Sequence, residues 1–229
     1  MVPDGGAMSS SALPSDQTPH QEIELKWALT PAGHARLGSL LPTEHGPGHL
    51  LDQDNCFFDT VDRRLRQARM NLRLRRENGR VLLTCKRKPQ GGLSLVDGLA
   101  HHDEWEQELP EELVAGLSHP DHRWSEALPL PAPIRAALAG EDVGAIGGFR
   151  NQRLAFAIER QGLNELVCLD RTDFGTRIDY ELEIETCDPT ATRRHWLTRF
   201  AQWGIAVEPQ EATKFARFIA LHSGINVRA

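Results

Sequence analysis

Between Glu22 and Trp27 every second residue is charged: Glu22, Glu24 and Lys26 alternate with Ile23, Leu25 and Trp27. The same period of two returns where Leu72 and Leu74 alternate with Arg73 and Arg75, at Lys86 and Lys88, and at Glu181, Glu183 and Glu185. Successive side chains of a strand point to opposite faces, so each segment reads as a strand with one apolar and one strongly ionic face. Two arrangements satisfy such strands. An antiparallel sheet can bury the apolar face and leave the ionic one in water. Alternatively, the strands close into a barrel with the ionic faces inward and helices covering the apolar exterior. Three features favour the barrel. One strand carries three Glu in register and another paired Arg, where a solvated face usually mixes Thr, Lys and Glu. Like charges two residues apart repel unless opposite charge lies between them. Helical segments with apolar sides, such as Trp196, Leu197 and Phe200 or Phe215, Phe218 and Ile219, need a partner surface.

Residues 1–20 are rich in Gly, Ser and Pro and are expected to be a disordered leader, followed by a single domain over residues 21–229. Thr30-Pro31 supplies an N-cap and a first-turn Pro for a helix to about Leu41. Strands are expected at 56–59 and 70–77, the latter turning at Asn78-Gly79, a pair that accepts positive φ, into 80–88. After a Gly91-Gly92 loop, another alternating segment covers 103–109. Residues 110–148, rich in Pro, Gly and Ala with a helical patch at 134–139, read as a helical insertion. A second hairpin turns at Gln161-Gly162 between 150–160 and 165–171, and a strand follows at 177–187. Helices close the chain at 190–203, from Asp188-Pro189 to Gly204, and at 211–223.

The chain's net charge of −6 hides an uneven distribution: residues 61–90 hold eleven Arg or Lys against Asp62 and Glu77, a local balance of +9. In an acidic chain with one Tyr and no groove-reading motif, that block reads as a small-anion site and not a nucleic-acid interface. Arg63, Arg64, Arg66 and Arg69 precede the strand and are expected to form an exposed basic loop outside the site. His101 and His102 have no His or Cys at zinc-like spacing and are expected in a surface loop. Trp196, Trp203, Phe215 and Phe218, at helical spacing, are expected in the core. No apolar run approaches the ~18 residues of a membrane span, and no signal-peptide stretch is present, so a cytoplasmic protein without membrane contact is expected. Cys56, Cys85, Cys168 and Cys187 lack CxxC spacing and read as buried thiols of a reducing compartment. The sequence sets no oligomeric state.

An interior lined by both signs of charge has a chemical use. Carboxylates hold a hard divalent cation, and Arg and Lys meet phosphate oxygens, Arg through its planar fork. A phosphate chain would then be neutralised from both sides, as phosphoryl transfer requires.

Several motifs, in order, resemble the CYTH superfamily, the triphosphate tunnel metalloenzymes, over residues 21 to about 222. They are Glu22-Ile23-Glu24-Leu25-Lys26, Phe58-Asp59-Thr60, Leu72-Arg73-Leu74-Arg75, Leu83-Thr84-Cys85-Lys86, Leu169-Asp170, Glu181-Leu182-Glu183-Ile184-Glu185 and Thr213-Lys214-Phe215. The resemblance implies a mainly antiparallel β (α+β) fold, an eight-stranded closed tunnel with a charged interior and helices packed outside. It also implies a metal-dependent enzyme that takes a triphosphate and Mg²⁺ or Mn²⁺.

On this sequence the resemblance gives Glu22, Glu24, Glu181, Glu183 and Glu185 as the metal set. Asp170 is a further acidic member and Glu104 an additional acidic site residue. It gives Lys26, Arg73, Arg75, Lys86 and Lys214 as triphosphate ligands, with Lys26, Arg73 and Lys86 as the catalytic cations. An Arg near position 150 is expected to join them; Arg150 is taken over Arg153, though spacing leaves both open. The chain departs from the family at His101-His102-Asp103, where an Arg is often found. The run from Phe57 through Leu93 is most similar to bacterial inorganic triphosphatases, implying hydrolysis of tripolyphosphate to pyrophosphate and phosphate by a stand-alone domain. Thiamine or nucleoside triphosphatase, class IV adenylate cyclase and a non-catalytic polyphosphate- or nucleotide-binding module are the alternatives.

Overall fold

The computed structural model describes residues 18–89, 95–116 and 123–222. The leader expected at 1–20 lies outside them up to residue 17, and so does the Gly91-Gly92 loop. The chain opens with strand β1 (His20–Leu29) and helix α1 (Pro31–His45). Thr30 caps that helix, its Oγ1 accepting from the Gly33 amide at 3.0 Å. Strand β2 (His49–Asp59), the short helix α2 (Arg64–Gln67) and the hairpin β3 (Met70–Glu77) and β4 (Arg80–Arg87) follow. Asn78 and Gly79 have φ of 47° and 83°, as a two-residue hairpin turn requires. Then come β5 (Leu99–Leu109), α3 (Glu111–Gly116), α4 (Trp124–Ala127) and α5 (Ala132–Leu138). The last half holds β6 (Gly144–Arg160), β7 (Leu163–Asp173), β8 (Ile178–Glu185), α6 (Pro189–Trp203), β9 (Val207–Pro209) and α7 (Lys214–His222).

Eight antiparallel strands run β5-β4-β3-β2-β6-β7-β8-β1, and β1 pairs back with β5 to close the barrel; β9 adds a short pairing on β1. The barrel, and not the open sheet, is the arrangement adopted. Residues 20–25 of β1 pair with β5, and beyond them the Lys26 amide donates to the Gly98 carbonyl at 2.7 Å. The backbones come so close there that a Cβ on Gly98 would lie 2.4 Å from the Lys26 carbonyl oxygen.

Apolar faces point outward. Those of β3, β4 and β5, with Leu72, Leu83 and Trp105, pack under α2 through Leu65 and under the helical insertion through Leu128 and Ile134. Those of β1, β7 and β8, with Leu25, Val167 and Ile184, pack under α1 and α6 through Leu37, Trp196 and Phe200. A third cluster of Phe57, Phe149, Phe174 and Phe218 seats α7 at one end of the barrel.

Some boundaries differ from the sequence reading. The helical insertion ends before residue 144, because Gly144 to Gly148 already belong to β6. The glycines counted toward the helical insertion, yet Gly148 is needed in the strand: a Cβ there would lie 1.7 Å from the Asn55 carbonyl oxygen of β2. Strand β2 begins at His49 and not at Cys56, helix α1 runs on through Pro42 to His45, and α7 begins at Lys214. All four cysteines are free, but only Cys85 and Cys168 are buried; Cys187 is exposed and Cys56 half-buried.

Candidate active site in the barrel interior

Strand parity fills the interior with charge. From β1 come Glu22, Glu24 and Lys26, all buried, and from β8 Glu181, Glu183 and Glu185, in register as Glu24 with Glu185 and Lys26 with Glu183. Strand β7 adds Asp170, which has no exposed surface, opposite Glu181. Helix α7 delivers Lys214 from its first turn. Its Nζ lies 2.8 Å from Asp170 Oδ2 and 2.9 Å from Glu183 Oε1, and it also pairs with Glu181.

Two nests of ligand atoms result, one from Glu22, Glu24 and His102 and one from Asp170, Glu181 and Glu183, each with its atoms within 4.8 Å of one another. Lys26 bridges them, 2.7 Å from Glu24 Oε1 and in contact with Glu183. Lys86 of β4 pairs with Glu22 and lies 3.5 Å from Glu104 Oε1.

The opposite wall is cationic. Arg75 donates to Asn55 Oδ1 at 3.3 Å and lies 3.6 Å from Glu77. Arg73 donates to Thr84 Oγ1 at 3.2 Å, its buried Nε has no partner, and among the described residues it meets no carboxylate. Between the walls is a cavity of about 340 Å³, reached by Lys26, Arg73, Lys86, Glu24, Glu183 and Lys214.

The charges respond accordingly. Burial pulls the Lys26 ammonium down, but Glu183 and Glu24 outweigh it and leave it above its ordinary value. Burial acts likewise on Lys86, where Glu22 and Glu104 win. Burial would raise Glu183, yet Lys214, Lys26 and Arg153 hold it well below the carboxylate range. Arg73 behaves in the opposite way: burial, then Arg75, pulls it down to about 9. It is the interior cation least compensated by the protein.

Glu185 is pushed up to about 7 by burial, then by Glu22 and Glu24. A carboxyl raised on folding resists ionisation, so stability falls as pH rises from the ordinary value through about 7. In chelator, Glu185→Gln is expected to remove that slope and to be more stable than the parent at pH 8. Denaturant midpoints at pH 5 and pH 8 test this; equal slopes in parent and variant reject it.

Of the residues singled out from sequence, Glu22, Glu24, Lys26, Arg73, Arg75, Lys86, Glu104, Asp170, Glu181, Glu183, Glu185 and Lys214 share this interior. Arg150 does not: it is exposed, on the outer face of β6. Arg153 enters instead, its Nε and Nη2 donating to Asp170 at 2.8 and 2.7 Å while Nη2 also reaches Glu183. The reason is parity: buried Phe156 and Ile158 put the even residues of β6 on the outer face.

His101 and His102 lie on β5 and not in a loop, and His102 is buried beside Glu22 and Glu24. Burial, then Lys86, lowers His102 to about 4, so its ring is neutral at neutral pH. Arg66 and Arg69, set aside as an exposed loop, line the cavity mouth. Asp59 holds α2, which carries Arg66 and leads into Arg69, accepting from the Leu65 amide at 2.9 Å and the Arg66 amide at 3.2 Å. Arg217, one turn after Lys214 on α7, donates to Glu181 at 2.7 Å; that three-residue helical spacing was its only signal.

The CYTH domain family matches residues 20–219. This chain belongs to the CYTH domain family. It is similar to Putative triphosphatase YjbK of Bacillus subtilis (strain 168), 28% identical over 194 residues that cover 84% of this chain and 90% of that one. Among solved structures, HpAC1 from Hippeastrum, a putative adenylyl cyclase with a dominant triphosphatase activity, matches with a TM-score of 0.75 and 28% identity, covering 87% of this chain and 95% of that one. A putative adenylate cyclase (bh2851) from Bacillus halodurans shares the fold at a TM-score of 0.61 and 23% identity, covering 86% and 96%. The closed barrel with outer helices is thus the CYTH fold.

Proposed function

We propose that this CYTH domain hydrolyses inorganic triphosphate to pyrophosphate and phosphate in its interior, with a divalent cation, Mg²⁺ or Mn²⁺, as cofactor. The observation that carries the reading is Arg73, a largely buried guanidinium facing the cavity with no carboxylate partner among the described residues. A polyanion would supply the missing charge. Lys26, Lys86 and Lys214, now held by carboxylates, would exchange partners as phosphate oxygens enter. Arg75 would extend the same wall.

The donor sets suit a metal. Three ligand atoms converge in each nest, carboxylate oxygens are the donors hard cations take, and His102 Nδ1 is buried without a hydrogen-bond partner. Asp170, Glu181 and Glu183 would hold one cation and Glu22 and Glu24 another, with Glu185 and Glu104 beside the second. A bound cation supplies Lewis-acid polarisation of phosphoryl oxygens and a more acidic water. The chain's own groups fix the phosphate chain in line between Arg73 and Lys26, stabilise charge gathering on the pyrophosphate leaving group, and exclude bulk water. The names of YjbK and HpAC1 support the triphosphatase class. Free thiols at all four cysteines suit a cytoplasmic setting, and no helix among the described residues is long and apolar enough to cross a membrane.

A second reading has its own observation. Phe57, Phe149, Phe215 and Ile219 line the same cavity as the cations, and an apolar wall suits the organic group of a nucleoside or thiamine triphosphate. Phosphate release from tripolyphosphate, ATP, GTP and thiamine triphosphate, with and without Mg²⁺ or Mn²⁺, decides. Metal-dependent release is expected to be fastest on tripolyphosphate. Faster turnover of an organic triphosphate would move the function to the second reading, and tight binding without release would make the domain a sensor.

A further inference from the structure

His102 enters the barrel from β5 in register with Glu22 of β1. Its side chain is buried, and its Nδ1 is one of few buried side-chain atoms with no hydrogen-bond partner among the described residues. Leaving a buried polar atom unpaired costs free energy that a surface histidine avoids. The nitrogen lies 3.8 Å from Glu22 Oε2 and 3.9 Å from Glu24 Oε1. Both separations are too long for hydrogen bonds. They do fit atoms sharing one ion: ligands about 2.1 Å from a common metal are at most about 4.2 Å apart.

We infer that His102 is a metal ligand, and that Glu22, Glu24 and His102 form a mixed nitrogen and oxygen site for a first-row divalent transition ion such as Co²⁺ or Mn²⁺. It rests on the reading that the interior works with a divalent metal. First-row transition ions accept an imidazole nitrogen more readily than Mg²⁺, which favours oxygen donors and retained waters; Mn²⁺ binds nitrogen the least of them and serves as the spectroscopic probe. The nest of Asp170, Glu181 and Glu183 is all oxygen, so the two halves of the barrel differ in metal preference. The oxygens concerned are those now held by lysines, Glu22 Oε2 by Lys86 and Glu24 Oε1 by Lys26. Filling the site therefore frees two cations for phosphate, which couples metal binding to substrate binding.

The test is pulsed EPR of Mn²⁺ bound to the full chain after chelator treatment and buffer exchange, with Mn²⁺ affinity measured in the same samples. The wild type is expected to show coupling to a directly bound ¹⁴N. His102→Asn and His102→Gln are expected to lose it, with Mn²⁺ affinity lower by about ten-fold or more and Mg²⁺ affinity nearly unchanged. His101→Ala, whose ring faces Gln21 outside the barrel, is expected to keep the signal. Mn²⁺ bound without nitrogen coupling in the wild type, no Mn²⁺ retained, or coupling that survives both His102 variants overturns the assignment. The wild-type spectrum stands even if the variants fail to fold. Phosphate release is scored separately: nitrogen-coupled Mn²⁺ without turnover keeps this site and removes the hydrolase reading, while turnover with a nitrogen-free site does the reverse.

Discussion

Arg73→Ala is expected to lower turnover of tripolyphosphate by about 10²–10³-fold, the usual loss when one donor to developing charge is removed, without lowering the melting temperature. The two halves of that expectation share one cause. Among the described residues Arg73 has no carboxylate in ion-pair contact, and burial followed by Arg75 lowers it to about 9 against the more distant Glu104 and Glu106. The folded state therefore disfavours its charge, and removing the guanidinium relieves the fold while stripping the cavity of its least compensated cation. Arg73→Lys keeps a charge but loses the planar fork, so partial activity is expected. Steady-state phosphate release together with thermal melting checks the pair of outcomes. Turnover within about five-fold of wild type would remove Arg73 from the transition-state machinery. A large fall in melting temperature would make it a structural residue.

Local signals in the sequence were the most legible. Thr30 and Asp188 accept amide hydrogen bonds as N-caps, and Gln161 and Gly162 take positive φ at the second hairpin, because each outcome depends on a few adjacent residues. The barrel was legible through parity, since ionic faces on so many strands cannot all repel one another in an unpaired array. Parity also contained Arg153: reading Phe156 and Ile158 as the outer face of β6 excludes Arg150. The glycine-rich start of β6 and the polar first half of β2 were not legible, because their strand character comes from tertiary pairing, Gly144 to Gly148 with the end of β2 at Cys56 to Asp59 and His49 to Gln53 with residues 151–155 of β6. His102 was missed for a related reason. Zinc-like spacing asks for ligands close in sequence, whereas its neighbours Glu22 and Glu24 arrive through the β1–β5 closure, a contact between distant segments.

Asp170→Ala is expected to destabilise the metal-free protein by about 3–5 kcal/mol, the usual cost of breaking a buried charge network by removing one partner. Asp170 has no exposed surface and accepts from Arg153 at 2.8 and 2.7 Å, Lys214 at 2.8 Å and Asn151 at 3.1 Å. Glu183 still reaches both cations in the variant, and Glu181 reaches Lys214, which places the loss toward the lower end of that range. At about 2–4 °C per kcal/mol for a domain of this size, the melting temperature should fall by roughly 6–12 °C. Burial would raise the Asp170 carboxyl, but Arg153 and Lys214 hold it below its ordinary value. An acid lowered on folding stabilises above its unfolded value of about 4 and loses that contribution as pH falls through the folded one. The variant's deficit should therefore be full at pH 7 and shrink below pH 4. Melting in chelator at pH 7 and pH 3 checks both points. A variant that melts within about 2 °C of wild type at pH 7 would show that Asp170 is not needed to hold Arg153 and Lys214, leaving metal binding as its role. The expected fall, measured without metal, assigns Asp170 a structural task in the empty barrel, one that a cation sharing its carboxylate must compete with.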